Sequence, residues 1–289
     1  MGDRLVPAAF VGPAVLLAFI GLVIPAILTV GISFQSSNDG RWVGFDNYAR
    51  VLADPAMADV LINTGLWTFI VPVVCTTLGL VIAVVADRLP GAAENTVKSV
   101  LFFPMAISMV AAAAIWRFVY AYRPEDPQIG VANAAVVALG GDPVTWLINY
   151  TMRLNTFALM VTSIWMTTGF AMVLLAAAVK TVPVETIEAA RVDGAGGWAI
   201  FWRIITPQIR PTIIAVLVTI ALLMLKVFDI VYTNTLGNYK TDVVGNQFYL
   251  ALFRYGDPGK ASVLVVLLLV IVLPFMALNV RRFARGGQA

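Results

Sequence analysis

The feature that most constrains this chain is the spacing of its charges. Residues 5–38, 60–86, 99–116, 154–179 and 261–280 contain no Asp, Glu, Lys or Arg. A helix needs about 20 apolar residues to cross the hydrocarbon of a bilayer, and most of these intervals meet that length. A sixth apolar run begins after Pro211 and carries Lys226 and Asp229 near its far end. The chain is 60% hydrophobic and only 12% charged, and the excess lies in these runs, so it reads as lipid-facing surface and not as one large core. The predicted fold is therefore all-α, a polytopic membrane protein of about six transmembrane helices. The expected organisation is a single transmembrane domain over residues 1–289 with no separate soluble domain.

The first run is far longer than the apolar part of a signal peptide, and only Arg4 precedes it, so it is read as an uncleaved first span. Six spans put both termini on one side. With the termini inside, segments 1–6, 87–99, 179–211 and 281–289 face the cytoplasm and hold ten Lys or Arg, against eight over the longer outer segments, which also hold nine of the sixteen acidic residues. That is the sign expected of inner loops, and RRFAR directly after the last run is the clearest anchor. In the outer segments, GFDNYARVL (44–52) is compatible with a short surface helix or a turn. IGVANAAVVALGG (129–141) is compatible with a short helix ending at Gly140–Gly141.

Several chemistries are excluded. The chain has no histidine, which removes His-based acid–base catalysis, His proton relays and most transition-metal sites, and no metal ligands are assigned. Its single Cys75 lies in an apolar run and reads as a small hydrophobe. A net charge of +3 without a clustered basic face argues against nucleic acid as a partner. There is no phosphate-binding loop: GAAENTVKS (91–99) lacks the second Gly and the Lys that such a loop requires.

The segment 179–211, VKTVPVETIEAARVDGAGGWAIFWRIITPQIRP, carries the strongest signal. Pro183 suits the start of a helix and Glu185 its first turn. Gly194 permits a turn, and Gly196–Gly197 break the helix. WAIFWRII then reads as a second helix with interfacial aromatics, after which Thr206 is expected to cap the next helix and Pro207 to take its first position.

Glu188, Ala189 and Ala190, then Gly194 six residues after the Glu, Ile204 sixteen after and Pro207 nineteen after reproduce a known spacing. It resembles the cytosolic signature EAA–Gly–Ile-x-Leu-Pro of the permeases of binding-protein-dependent ABC importers, with Thr206 where Leu is usual. GFDNY, Phe103–Pro104, LKVFDIVY and TLGNYKTD look like the maltose-type carbohydrate permeases; NQFYLALF and the closing LPFMALNVRRF look closest to α-glucoside permeases. The likeness runs from about residue 10 to 283, with its core over about 60–282.

The resemblance implies a type I importer subunit in the cell membrane with both termini cytoplasmic. It implies a second permease subunit, two ATPase subunits that hold ATP and Mg, and an extracytoplasmic solute-binding protein, beside the membrane lipid itself. This chain would bind no cofactor and would not itself be an enzyme. Glu188, Ala189, Ala190, Asp193, Gly194, Ile204 and Pro207 would form the ATPase-coupling segment, with Glu188 facing an arginine of the ATPase. The solute would be a sugar, an α-glucoside or oligosaccharide, or else another small solute. For a solute path the candidates are Ser163, Trp165, Thr167 and Thr168 in the fourth run, with Lys226 and Asp229 three apart on one helix face, read either as a path pair or as an ion pair that fixes packing. The positions around Met105, Met109 and Met224, which face solute in the family, are apolar here and shift the sugar-binding groups toward the paired subunit. A stand-alone secondary transporter or channel would instead show coupling-ion sites, internal repeats or discontinuous helices at midplane and would transport without ATP, and an intramembrane enzyme would show a nucleophile or metal site at depth.

Overall fold

The computed structural model describes residues 2–125 and 127–286, with side chains for 10–125 and 127–273. The side chains of Arg281, Arg282 and Arg285, and all of residues 287–289, lie outside the described residues. Among the described residues there is no sheet, and the one extended pairing is an antiparallel bridge between Gln35 and Trp42. Three helices are long and apolar enough to cross a membrane: α1 (Phe10–Ser33), α3 (Pro55–Ala86) and Thr151–Val179, which is kinked at Met152–Arg153. Two bent helix pairs and the apolar stretch Pro258–Leu273 complete the expected set of apolar segments. The chain is an all-α polytopic membrane protein.

The charge-free interval 99–116 is not one straight helix. α4 (Gly91–Phe102) passes into a tight turn over Phe103–Ala106, where Pro104 sits in the second position. Ile107 is extended, and Ser108 then caps α5 (Met109–Val119) by accepting a hydrogen bond from the Ala111 amide at 3.2 Å. The two parts meet at 101°. Two of the outer-segment readings resolve as helices: α2 (Asp46–Ala53) covers most of 44–52 and runs one residue past it, and α6 (Val131–Ala138) ends ahead of Gly140, whose φ is +80°.

The chain packs as two compact units, residues 1–58 with 247–289, and residues 59–246. In the first, α1, α2 and the last helix converge on Asp257. Its carboxylate accepts from the Ser37 hydroxyl and from the Lys260 amide at 2.8 Å, and Arg50 stands 3.5 Å away. Burial works against this charge, but these donors outweigh it and hold the Asp257 carboxyl below the usual carboxylate range. Asn47 ties the turn after α1 by donating to the carbonyls of Ser33 at 2.9 Å and Gln35 at 2.8 Å.

In the second unit α7 (Leu154–Val179) is central: 67% of its apolar window is buried within the chain, against none of α1's, so α7 is packed by protein while α1 turns its apolar surface outward. Small residues permit this. A Cβ on Gly79 of α3 would stand 2.8 Å from Ala171 Cβ and the Met172 nitrogen, and one on Gly169 would stand 2.1 Å from the Leu101 carbonyl oxygen. Glycine alone allows backbones this close, which is how helices pack where hydrophobic driving force between them is absent. At the start of α7, Arg153 donates to Asp59 at 2.6 Å and to Asn63 at 2.7 Å. Asn63 in turn donates to the carbonyls of Lys240 at 2.7 Å and Asp242 at 2.9 Å, and Asn155 to that of Tyr239 at 2.7 Å. These bonds clamp a stretch in which Leu236, Tyr239 and Lys240 all have left-handed φ of 55–61°, conformations that persist only where the surroundings impose them.

Candidate functional site: the coupling segment

The segment after α7 folds as the sequence suggests in its first half. α8 (Val184–Val192) follows Pro183, whose extended ψ of 131° sets the entry. The helix has two faces. Ile187 and Ala190 pack against the core of the second unit, while Glu188, Ala189 and Asp193 are exposed and Val192 is 88% exposed. The end is a Schellman closure: the Ala195 amide donates to the Ala190 carbonyl at 2.9 Å and the Gly194 amide to that of Arg191 at 3.0 Å, with Gly194 at φ +81°. Gly194 is thus required by its backbone, and a Cβ there would meet nothing within 4 Å. Glu188 makes no ion pair among the described residues, so its carboxylate is presented to solvent.

The second half differs from the expectation. Thr206 does not cap a new helix. α9 (Gly197–Gln208) runs through it, Thr206 has helical φ/ψ, and its buried hydroxyl has no partner. A wide turn over Phe201–Ile205 precedes Pro207, the place where a proline's missing N–H would otherwise leave a helical carbonyl unpaired. The break falls at Ile209, and α10 (Arg210–Leu225) leaves at 73° with Pro211 in its first turn. Ile204 is half-buried against the core and Pro207 is exposed. So the structure brings Glu188, Ala189, Asp193 and Gly194 together on one outward face, while Ile204 and Pro207 belong to the α9 stem behind it.

The solute-path candidates do not form one site. Lys226 and Asp229 do not share a helix face: α10 ends at Leu225 with Lys226 as its cap, Phe228 is non-helical, and Asp229 opens α11 (Asp229–Thr235). Among the described residues no ion pair joins them, and Lys226 is exposed. A helix from further along the chain packs onto the break: a Cβ on Gly245, in Val244–Tyr249, would stand 2.6 Å from the Val227 carbonyl oxygen. On α7, Thr168 spends its hydroxyl on the Ile164 carbonyl at 2.7 Å, and Trp165 lies edge-on to Trp116 with centroids 5.9 Å apart. Thr167 is mostly buried, and the hydroxyls of Ser163 and Thr162 are buried without a partner. Sequence reasoning missed the roles of Asp59, Arg153 and Glu94. The available signal was that Asp59 and Arg153 each close a charge-free interval.

Residues 76–283 match a family described as binding-protein-dependent transport system inner membrane component. The chain is 44% identical over 275 residues to the osmoprotective compounds uptake permease protein GgtC of Synechocystis sp., covering 95% of this chain and 97% of that protein. It is 43% identical over 287 residues to the alpha-glucoside transport system permease protein AglF of Rhizobium meliloti, covering 98% of this chain and 84% of that one. Among solved structures it is similar to a bacterial ABC transporter involved in the import of the acidic polysaccharide alginate, with a TM-score of 0.80 at 23% identity over 96% of each chain.

Proposed function

The chain belongs to the inner-membrane components of binding-protein-dependent transport systems, and from that premise we propose that it is a permease subunit through which an ATP-driven importer passes an α-glucoside. The observation that carries the coupling half of this reading is the outward face of α8. An exposed, unpaired carboxylate at Glu188 is held on a helix that is anchored from behind by Ile187 and Ala190. A partner that moved α8 would move α7 and α9 with it, because the anchoring residues belong to the same packed core. ATP and Mg belong to the partner: two ATPase subunits on the Glu188 side, a second permease subunit alongside, and a binding protein that delivers solute on the other side. The permease has no chemical step of its own to perform.

The α-glucoside assignment is supported by the 43% identity to AglF over nearly the whole chain. A second reading, an osmoprotective solute, is favoured by the comparable identity to GgtC. They separate in vesicles that contain the complete importer and its binding protein. ATP-dependent uptake of a labelled α-glucoside is expected to be competed by other α-glucosides and left unchanged by a non-sugar osmolyte such as glycine betaine. No uptake of the α-glucoside, with ATP-dependent uptake of labelled glycine betaine in its place, would assign the second reading.

On this reading both termini lie in the cytoplasm, with α8 on the same side. In a Cys75→Ala background, a cysteine at exposed Asn38 is expected to react with an impermeant thiol reagent from outside intact cells, and one at Gly196 only after lysis. Labelling of Gly196→Cys from outside would invert the orientation.

A further inference from the structure

Beside α8 lies a cleft of about 680 Å³ that the coupling role does not use. Its floor is apolar, formed by Val84, Val179, Val182, Ile187 and Ile205, and its rim carries Arg88, Lys180 and Arg191 against Asp87. Lys180 is already engaged, 2.7 Å from Glu94, whose hydrogen bond holds the ammonium pKa above its usual range. Arg88 and Arg191 make no ion pair or side-chain hydrogen bond among the described residues. The two faces of α8 therefore differ: Val184, Ile187 and Arg191 turn into the cleft, whereas Glu188 and Val192 turn away from it.

A second hollow, of about 300 Å³, shares Val84, Arg88, Gly197 and Phe201 with the first and continues over Val81, Val85 and Trp198. Val81 is 49% exposed, Val85 56% and Trp198 75%. Arg88 stands two residues past Ala86, the last residue of the 32-residue apolar helix α3. The paired hollows thus join unpaired guanidinium groups at the membrane boundary to an open apolar strip on the hydrocarbon side, with Trp198 at the level where amphipathic rings collect.

We propose that this double cleft is a binding site for an anionic phospholipid, with the headgroup phosphate on Arg88 and Arg191 and an acyl chain along Val81, Val85, Phe201 and Trp198. Planar guanidinium forks match phosphate oxygens in two-point hydrogen bonds, and basic pockets at helix ends near the membrane surface select net-negative headgroups. A soluble anion would use the rim alone and gain nothing from the strip. The inference stands on the membrane location of α3 and is independent of the role of Glu188.

The test is native mass spectrometry of the complete importer, purified in a zwitterionic detergent and titrated with phosphatidylglycerol or phosphatidylcholine. Wild type is expected to retain phosphatidylglycerol roughly thirtyfold better than phosphatidylcholine, the preference that two surface arginines supply. Arg88→Gln with Arg191→Gln should lose that preference, while Arg88→Lys with Arg191→Lys keeps most of it. Val85→Ser with Trp198→Ser should weaken long-chain but not short-chain phosphatidylglycerol. Should the Gln pair fail to assemble, each single Gln variant takes its place, with roughly a fivefold loss expected. Undiminished preference in the Gln variants, equal retention of phosphatidylcholine by wild type, or displacement by millimolar inorganic phosphate would each overturn the site.

Discussion

Glu188→Lys is expected to leave the permease folded and inserted while its association with the ATPase falls roughly ten- to a hundredfold. The carboxylate is exposed and makes no ion pair among the described residues, so reversing its charge removes nothing that holds the fold. In a partly desolvated groove facing an arginine, a charge-assisted hydrogen bond contributes about 1.5–3 kcal/mol, and each 1.4 kcal/mol is a factor of ten. Gly194 offers an independent handle on the same face. Its φ of +81° is disfavoured for a residue with a Cβ, yet a Cβ there meets nothing within 4 Å, so substitution acts through the backbone alone. Gly194→Val should therefore disturb the Schellman closure at about 1–2 kcal/mol and misdirect α9, whereas Gly194→Asn, which tolerates this conformation, should stay near wild type. The measurements are co-purification of the ATPase and solute-stimulated hydrolysis in liposomes. Full stimulated hydrolysis by Glu188→Lys would reduce α8 to a linker. Equal failure of the Val and Asn variants at 194 would mean that the partner fills the space beside Gly194 and that φ is not the cause.

The parts of this protein that were legible in the sequence are those set by local chemistry. Charges that cannot sit in hydrocarbon bracket the apolar segments, and Asp59, Arg153 and Lys180 stand at or beside the ends of the long helices. Gly194 was legible because only a positive φ turns the chain so soon after α8. Four features were not legible. The bend at Ile107 and the one at Ile209 follow prolines that, within a continuous apolar run, have no unique reading, since a proline there either kinks a helix or starts one. Lys226 and Asp229 looked like one helix face because KVFD contains no breaker; at the break the backbone meets Gly245, which lies nineteen residues on from Lys226, and that contact leaves no local mark. Thr206 looked like a cap because Thr-Pro is a common helix start, yet the wide turn before Pro207 lets α9 continue through it. The hydrogen bonds from Asn63 and Asn155 to a strained stretch far along the chain were invisible for the same reason: nothing near either asparagine names its acceptor.

That dependence on close backbone approach sets the last expected result. Gly169→Val should cost the second unit more stability than any surface change, because the three atoms nearest its Cβ are backbone: the Leu101 oxygen at 2.1 Å, the Leu101 carbonyl carbon at 2.8 Å and Phe102 Cα at 2.8 Å. A flexible side chain can swing aside, but a helix backbone two residues before the turn at Phe103–Ala106 cannot move without carrying that turn and α5 with it. Overpacking of this kind typically costs about 1–3 kcal/mol, and with only backbone to yield the upper end applies. Gly169→Ala already places the offending atom, so it should reproduce most of the loss, and Gly79→Val should act similarly through Ala171 and Met172. The control is Gly65→Ala on α3, where a Cβ meets nothing within 4 Å and helix propensity favours Ala by up to about 1 kcal/mol. Thermal unfolding of each variant in the same detergent, followed by the loss of monodisperse protein, should place Gly65→Ala at or above wild type and both Gly169 variants well below it. If Gly169→Ala unfolds with Gly65→Ala, then α7 and α4 do not meet backbone to backbone. The bend after α4 would in that case be held by Pro104 and the Ser108 cap alone, and Ser108→Ala, a change of about 1 kcal/mol at most caps, would become the variant that moves it.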